Sequence, residues 1–288
     1  MSAPGTLFVV ATPIGNRGDL SARARDGLAG ADLIAAEDTR HTGAFLAQLG
    51  LSRPLVSLHE HNEAERIPEI LARLKRGESV ALVSDAGTPL VSDPGYRLVA
   101  AVAAAGHAVV PLPGACAAIA ALSAAGLPTD RFVFEGFLPA RGQKRRAHLA
   151  SLRGEHRTLV FYEAPHRLAE TLEDLAGAFG ESRRAVVARE LTKLHETIYR
   201  DTLGTLKDAA ARDPDMTRGE AVVVVAGADA PAAEAGAAEE LAERLLRALL
   251  PELPLSRAVD VTVEVTSQRR NAVYERALAL KGAPDQDA

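Results

Sequence analysis

The sequence has a single cysteine, Cys116, and no tryptophan in its 288 residues. One cysteine excludes an intramolecular disulfide, and no group of Cys and His residues has the spacing of a structural zinc site. Burial of apolar side chains therefore has to stabilise the fold. The 47% of hydrophobic residues is enough to fill the cores of two ordinary domains. We expect a globular protein without a bound metal.

A long apolar run is also missing. No uninterrupted stretch approaches the ~20 residues that span a bilayer. Residues 1–10 lack the charged start and the small-residue cleavage site of a signal peptide. We therefore expect no membrane contact and a cytoplasmic location.

The sequence has no excess of positive charge, because 38 acidic residues face 33 Lys and Arg residues, with a net charge of −5 and a pI of about 5.9. This composition argues against a general nucleic-acid-binding protein, which usually has a basic surface. The segment 141–157 is the exception, because its only acid is Glu155. Such a run is more often a solvated helix face than an RNA site, so both interpretations stay open here. Its basic residues are Arg141, Lys144, Arg145, Arg146, Arg153 and Arg157.

The first half of the chain alternates short β-branched runs with alanine-rich helical stretches. This alternation predicts parallel strands joined by helical crossovers, and hence a doubly wound α/β domain over residues 1–128. Gly50, Gly77 and Gly106 each follow a helical stretch, where a left-handed residue commonly ends a helix. The predicted strands are Thr6–Val10, Leu33–Ala36, Leu55–Ser57, Val80–Val83 and Val109–Pro111.

The second half continues with strands that follow one another through shorter connections. We predict an α+β domain with a mixed sheet over residues 129–228 and a linker over Ala228–Ala238, which is rich in alanine. A trihelical module over residues 239–282 is predicted to follow. Its fold is compatible with a helix-turn-helix, and equally with a helical cap or a dimer contact. Its predicted helices are Glu239–Leu249, Ser256–Val265 and Gln268–Leu280.

Three predicted strands end in loops of small residues, at residues 11–16, 84–95 and 111–118. The carboxyl ends of parallel strands are where open α/β sheets bind ligands. In the second loop, Asp85 can accept hydrogen bonds from a donor-rich cofactor, whereas we expect Asp93 to cap the helix that begins at Pro94. Neither a G-x-G-x-x-G motif nor a phosphate-binding P-loop is present, so NAD and ATP are poor candidates.

These loops carry a resemblance to a known family. Residues 11–16 (ATPIGN), 36–40 (AEDTR), 59–63 (HEHNE) and 84–95 (SDAGTPLVSDPG) are similar to motifs of the tetrapyrrole-methylase superfamily. Within it they resemble the bacterial ribosomal RNA small-subunit methyltransferase I family, which methylates a cytidine 2′-hydroxyl. Further similar motifs follow in order up to about residue 227, and the last helices resemble the small domain appended in that family.

The resemblance implies a two-domain α/β core with a C-terminal trihelical module. It also implies S-adenosylmethionine bound in the cleft between the two domains, and a homodimer. In this interpretation the small Cys116 side chain lines the cofactor site and does not act as a nucleophile. The cofactor contacts that the resemblance implies are Pro13, Ser84, Asp85, Ala86, Gly87, Thr88, Cys116, Ala117, Tyr162, Gly219 and Glu220.

Transfer of a methyl group to a hydroxyl requires alignment and then a group that handles the proton. Several charged residues stand in family-like context, namely Glu37, Asp38, Glu190, Lys193 and Glu196. Of these we select Glu190 and Lys193 for catalysis, although a structural salt-bridge network there is equally ordinary. The motif His59-x-His61 lacks further metal ligands in sequence, so contact with RNA is the better interpretation. The predicted substrate contacts are Arg40, His59, His61, Arg141, Lys144, Arg145 and Arg146.

The expected partner is small-subunit ribosomal RNA or the assembled small subunit. Two alternatives stay open: a corrin or porphyrin-precursor methylase of the same superfamily, and a non-enzymatic ribosome-binding protein. The trihelical module and the basic run favour RNA over a macrocycle, because a macrocycle needs neither. The intact strand-end loops argue against the loss of enzymatic activity.

Overall fold

The computed structural model describes residues 5–282, apart from the side chains of residues 230–237 and 282. Residues 1–4, where the first predicted domain begins, lie outside this range. No described helix combines the length and the apolar character needed to cross a membrane. The first ten elements are β1 (Thr6–Val10), α1 (Ala22–Gly30), β2 (Leu33–Ala36), α2 (Thr39–Gln48), β3 (Leu55–Ser57), α3 (Glu63–Lys75), β4 (Val80–Val83), α4 (Tyr96–Ala104), β5 (Ala108–Leu112) and α5 (Ala117–Ala125).

Five parallel strands form the first sheet in the order β3-β2-β4-β1-β5. Successive side chains of a strand point to opposite faces, and each face is covered by helices. Leu28 of α1 and Leu46 of α2 pack on one face, and Ile70 of α3 and Leu98 of α4 pack on the other. The doubly wound prediction is confirmed.

Helix starts and ends follow the local chemistry of the sequence. The Ser21 hydroxyl accepts a hydrogen bond from the Ala24 N–H at the start of α1, which satisfies a backbone group that the helix leaves free. Gly50, Gly77 and Gly106 all have φ between 72° and 86°, as predicted for left-handed residues after a helix. The strands β1, β2, β3 and β4 have the predicted bounds.

The second half contains a mixed sheet in the order β6-β7-β10-β8-β9, in which only β6 and β7 run parallel. The mixed-sheet prediction is confirmed. One face of this sheet packs on α6, α7 and α8, and the other face packs on α5. Its elements are β6 (Phe132–Phe137), α6 (Gly142–Ser151), β7 (Thr158–Glu163), α7 (Leu168–Phe179), β8 (Arg184–Arg189), β9 (Thr197–Thr202), α8 (Leu203–Arg212) and β10 (Ala221–Val225).

Three helices follow the second sheet, namely α9 (Ala230–Leu249), α10 (Leu255–Thr266) and α11 (Arg270–Gly282). They share a small core that includes Leu246, Val259 and Val273. The predicted linker over Ala228–Ala238 is wrong, because α9 begins within it. Alanine is the strongest helix former and proline is tolerated in a first turn, so the segment's composition is compatible with the observed helix.

The connections after β1 and β4 diverge in space. The chain leaves β1 for α1 on one face of the first sheet, and it leaves β4 for α4 on the opposite face. Since β1 and β4 are neighbours, a crevice opens where the two connections separate. Open α/β sheets bind their ligands at such a switch point.

Candidate functional site

Backbone hydrogen bonds join the strand-end loops at the crevice between β1 and β4. The Thr12 N–H donates to the Gly87 carbonyl at 2.8 Å, and the Gly87 N–H donates to the Thr12 carbonyl at 3.1 Å. Gly87 has a φ of +83°, which favours glycine. The Thr88 hydroxyl donates to the Ala115 carbonyl at 2.9 Å. These bonds hold the loops after β1, β4 and β5 in one arrangement.

A cavity of about 420 Å³ lies between these loops and the second sheet. This volume lies within the range of about 300–1,000 Å³ that is typical of small-molecule sites. The first half contributes residues 85–88 and 116–117 to its lining, and the second half contributes residues 162–165 and 220–222. Both sheets are therefore needed to form the cavity.

The described lining carries five carboxyl side chains and no cationic one. Burial raises the pKa of Glu37, and the neighbouring charge of Asp93 raises it further. Burial also raises the pKa of Asp93. Such a lining favours a positively charged ligand over a phosphate, because opposite charges stabilise each other where water is partly excluded. The five carboxyl residues are Glu37, Asp85, Asp93, Glu163 and Glu220.

Hydrogen bonds within the protein already occupy some of these carboxylates. The Glu163 carboxylate accepts from the Ala164 N–H at 2.8 Å and from the Thr171 hydroxyl at 2.6 Å. Asp85 Oδ1 accepts from the Asp38 N–H at 3.1 Å. Glu163 is therefore held in the structure, whereas Asp85 keeps a second oxygen for a ligand.

Tyr162 connects the two halves of the cavity. Its hydroxyl accepts a hydrogen bond at 3.2 Å from the N–H of Ala118, in the first turn of α5, where the helix leaves backbone donors free. Burial raises the pKa of Tyr162, so its hydroxyl stays protonated and remains able to donate. The rings of Phe134 and Phe137 meet the Tyr162 ring edge-on, with centroids 4.9 Å and 5.5 Å away. These contacts fix the orientation of the tyrosine ring.

A second cavity, of about 440 Å³, adjoins the first. The two cavities share Ile14, Asp85, Ala86 and Glu220 in their linings. The rest of the second lining has a different charge, because it contains basic and aromatic side chains and no further carboxylate among the described residues. These side chains are Arg17, His41, Phe45 and Lys193.

Lys193 forms the centre of an ion-pair cluster at the second cavity. Its ammonium Nζ lies 2.8 Å from Glu190 Oε1 and 2.9 Å from Glu220 Oε2. Burial lowers the pKa of Lys193, but the hydrogen bonds to both glutamates outweigh burial, and the pKa is raised. The pKa of Glu190 is lowered, because its hydrogen bonds with Lys193 and the Glu220 N–H outweigh burial. Lys193 and Glu190 are therefore both charged at neutral pH.

Two glycines make room for this cluster. A β-carbon on Gly15 would lie 2.4 Å from Lys193 Cγ, so the lysine side chain from the second half passes directly over the first loop. A β-carbon on Gly219 would lie 2.4 Å from the Glu190 carboxyl carbon, and Gly219 has a φ of +73°. Glu190 itself has a φ of +51°, which is rare for a residue with a side chain. The left-handed conformation at this turn accompanies the contact of the Glu190 carboxylate with Lys193.

Comparison with known proteins identifies the family. The profile of Tetrapyrrole (Corrin/Porphyrin) Methylases matches residues 6–207, which is more than half of the chain. The chain belongs to this family. The profile of the RsmI C-terminal HTH domain matches residues 234–281, which comprise nearly all of α9 to α11.

Several relatives of this methylase match almost end to end. "Ribosomal RNA small subunit methyltransferase I" of Pseudomonas aeruginosa is 54% identical, over 98% of this chain and 99% of the relative. The protein of the same name from Escherichia coli O157:H7 is 49% identical, over 98% of this chain and 97% of the relative.

Solved structures share the fold of this methylase at lower identity. Uroporphyrin-III-C-methyltransferase from Thermus thermophilus superposes with a TM-score of 0.55 and 23% identity, covering 77% of this chain and 94% of that chain. Diphthine synthase superposes with a TM-score of 0.59 and 18% identity, covering 77% and 90%.

The structure brings most of the predicted cofactor residues of this methylase to the first cavity. Pro13 lines the second cavity instead. Ser84 is buried beneath the loop, and Gly219 lies against Glu190, so neither contributes to a lining. The predicted cofactor residues that line the first cavity are Asp85, Ala86, Gly87, Thr88, Cys116, Ala117, Tyr162 and Glu220.

The predicted substrate residues are more dispersed. Arg40 is an exposed residue whose guanidinium pairs with Asp38 at 2.7 Å, and this hydrogen bonding holds the pKa of Asp38 well below its usual range. The rings of His59 and His61 lie 6.0 Å apart and line neither cavity. Among the described side chains, no three His, Cys, Asp or Glu residues are grouped as metal ligands.

Arg145 is a correction to the predicted RNA contacts. Its side chain is fully buried, with the guanidinium 2.6 Å from Asp174 and 2.6 Å from Glu170, both on α7. A buried guanidinium paired with two carboxylates joins α6 to α7 and cannot reach an RNA phosphate. Its neighbours Lys144 and Arg146 are exposed, as is Arg141.

The structure also corrects Asp93, which was expected to cap a helix. Helix α4 begins at Tyr96 with Gly95 as the preceding residue, and the Asp93 side chain lines the first cavity instead. The sequence interpretation did not select His41 and Phe45, which line the second cavity. Their spacing of four residues on one helical face was the available signal.

Proposed function

We propose that this chain transfers a methyl group from S-adenosylmethionine to the 2′-hydroxyl of a cytidine ribose in small-subunit ribosomal RNA. The main structural support is the first cavity, in which carboxylates line the walls and no cation lies among the described lining residues. S-adenosylmethionine carries a sulfonium and an ammonium, so such a lining fits it. The relatives named ribosomal RNA small subunit methyltransferase I, at 49–54% identity over nearly the whole chain, support RNA as the acceptor.

We assign the cofactor to side chains and backbone groups that face the first cavity. Asp85 has a carboxylate oxygen free to accept from a ligand ammonium, and Tyr162 offers a hydroxyl that stays protonated. Backbone groups of residues 86–88 approach the cavity because Gly87 has no side chain. The bound cofactor supplies an electrophilic methyl group.

The proton of the ribose hydroxyl has to leave during transfer. We propose that the Lys193 ammonium, at the second cavity, stabilises the developing charge on the ribose oxygen, because a nearby cation lowers the pKa of a hydroxyl. Glu190 fixes the ammonium at 2.8 Å. The proton passes to the carboxylate of Glu220, which lines both cavities. S-adenosylmethionine, when bound, would supply the methyl group to the ribose oxygen and would leave as the neutral thioether S-adenosylhomocysteine.

We also propose that the chain acts as a homodimer in the cytoplasm, where its ribosomal substrate would be found. Several large apolar side chains are exposed, including Tyr96 at 73% and Leu194 at 92%, and these surfaces are available for a second copy. Analytical ultracentrifugation at micromolar concentration tests this assignment. A single species with the mass of one chain would contradict it.

The methylation test uses labelled cofactor with small ribosomal subunits, or their naked RNA, from cells that lack this activity. A 2′-O-methyl group removes the nucleophile of alkaline cleavage, so the label should be recovered in one alkali-resistant dinucleotide. Methylation of a base leaves every linkage labile, and the label would appear in mononucleotides. That result would exclude ribose methylation, and label transferred only to a porphyrin precursor would favour the macrocycle alternative.

A further inference from the structure

The second cavity has features that the proposed cofactor does not use. Helix α2 presents His41 and Phe45 to it, one turn apart on the same face. Arg17 also lines this cavity, and its guanidinium donates to Gln48 Oε1 at 3.3 Å, one further turn along α2. The cavity therefore has an aromatic ring, an imidazole and a guanidinium held by one helix face.

The charges of the two cavities differ in a way that matches two different ligands. The first has five carboxylates and no described cation, whereas the second adds Arg17 and Lys193 to the shared residues Asp85 and Glu220. Lys193 also lies 2.9 Å from Glu220, which offsets the negative charge of the shared wall. A cation is therefore favoured on one side of this wall. On the other side the charges of the lining balance, and the Arg17 guanidinium, which is bonded to the neutral Gln48 side chain, is available to pair with an anion.

We propose that the second cavity is the subsite for a single nucleotide of the acceptor RNA, turned out of its stack. This inference rests on the proposed function. Phe45 and His41 face the base, and Arg17 pairs with a phosphate of the same strand. A nucleotide in folded RNA has to leave its neighbours before its ribose enters a closed site. The ribose then lies at the wall formed by Asp85 and Glu220, against the first cavity.

The size and the chemistry of the cavity select this ligand. A volume of about 440 Å³ accommodates one nucleotide. Stacking on Phe45 is tolerant of base identity, because every base has a π-face. The backbone approaches closely at Gly15, where any β-carbon would overlap Lys193. The lysine and the first loop therefore form one continuous wall of the subsite.

The test compares Arg17→Ala and Phe45→Leu with Arg23→Ala, using purified full-length chains. Arg23 is exposed on α1 and lines neither cavity, so it matches the charge removed from Arg17. Leucine at position 45 keeps an apolar contact with the core on the first sheet but removes the aromatic ring. Each chain is assayed in single-turnover methylation of small subunits from cells that lack the activity. Calorimetry gives its affinity for S-adenosylmethionine, and thermal melting checks that it is folded.

We expect Phe45→Leu to raise the half-saturating subunit concentration at least about fivefold, as for loss of one stacked base. Arg17→Ala should raise it as well and reduce the slope of log affinity against log salt by about 0.7, as for one phosphate contact. Cofactor affinity should change by less than about twofold.

Two failures are distinguishable. If the unsubstituted chain places no label in ribosomal RNA, the proposed function is wrong and the subsite assignment falls with it. If the unsubstituted chain is active while Arg17→Ala and Phe45→Leu both behave like Arg23→Ala, only the subsite assignment is wrong. A loss of cofactor affinity equal to the loss of RNA affinity would also overturn it, because the residues would then act through the first cavity.

Discussion

Replacing Arg145 by methionine should destabilise the protein without removing an RNA contact. The guanidinium is fully buried and bridges α6 to Asp174 and Glu170 on α7. Burial lowers the pKa of Arg145, but the hydrogen bonds to both carboxylates outweigh burial and keep the side chain charged. Methionine fills similar space but leaves the Asp174 carboxylate without its main partner.

The expected cost follows from the exposure of the two acids. Removing one partner of a buried ion pair costs about 3–5 kcal/mol, because the other charge remains buried. Asp174 is 8% exposed and provides most of this cost, whereas Glu170 is 60% exposed and contributes little. Arg146 lies 3.5 Å from Asp174 and partly compensates. We therefore expect a loss of about 3 kcal/mol.

Hydrogen exchange is the suitable assay, because it reports the stability of α6 and α7 separately from the rest of the chain. Lys144→Met is the matched control, since Lys144 is exposed on the same helix, and it should change stability by less than about 0.5 kcal/mol. Asp174→Leu in the Arg145→Met background should recover stability, because the carboxylate that remains, Glu170, is largely exposed to solvent. If Arg145→Met is as stable as Lys144→Met, the reasoning about this ion pair is wrong.

Two further predictions concern the site. Burial raises the pKa of Glu37 and Asp93, and a cationic cofactor favours ionised carboxylates. The affinity for S-adenosylmethionine should therefore rise with pH just above the usual carboxyl range and then level off. Calorimetry from about pH 5 to 8 measures this profile. Asp93→Asn should flatten the rise, and an unchanged profile would contradict the assignment. Lys193→Met should lower the single-turnover methylation rate about 100-fold, with cofactor affinity nearly unchanged, whereas the surface variant Lys207→Met should not. Equal rates for these two variants would exclude a role for the ammonium in transfer.

Most of the fold could be predicted from the sequence because its signals are local. Runs of β-branched residues mark the strands. Glycines such as Gly50 and Gly77 mark the ends of helices, because glycine adopts the left-handed conformation found there without steric cost. The loops that line the first cavity could be located for the same reason, since they follow strands of a parallel sheet. The predicted linker failed because alanine-rich composition is compatible with both a helix and a connection.

The rest of the site could not be predicted because it depends on contacts between distant segments. Arg145 looks like its exposed neighbours in sequence, and only the position of Asp174, nearly thirty residues away, determines that it is buried. Lys193 reaches over Gly15 from the opposite half of the chain. Asp93 was expected to cap a helix, but the loop carries it into the cavity. Side-chain placement of this kind follows from tertiary packing, which no local pattern records.

Helix α5 belongs to the first half by sequence order but to the second half by packing. It follows β5, yet Ala121 and Leu122 contact Val160, Val186 and Val222 of the second sheet. The two halves are consequently not interchangeable modules. A hybrid enzyme joined after α5 would place a helix from one parent on a sheet from another, whereas a junction at the loop before α5 would keep the contact between α5 and the second sheet within one parent. Exchange of halves between two such enzymes therefore preserves this contact only when the junction lies before α5.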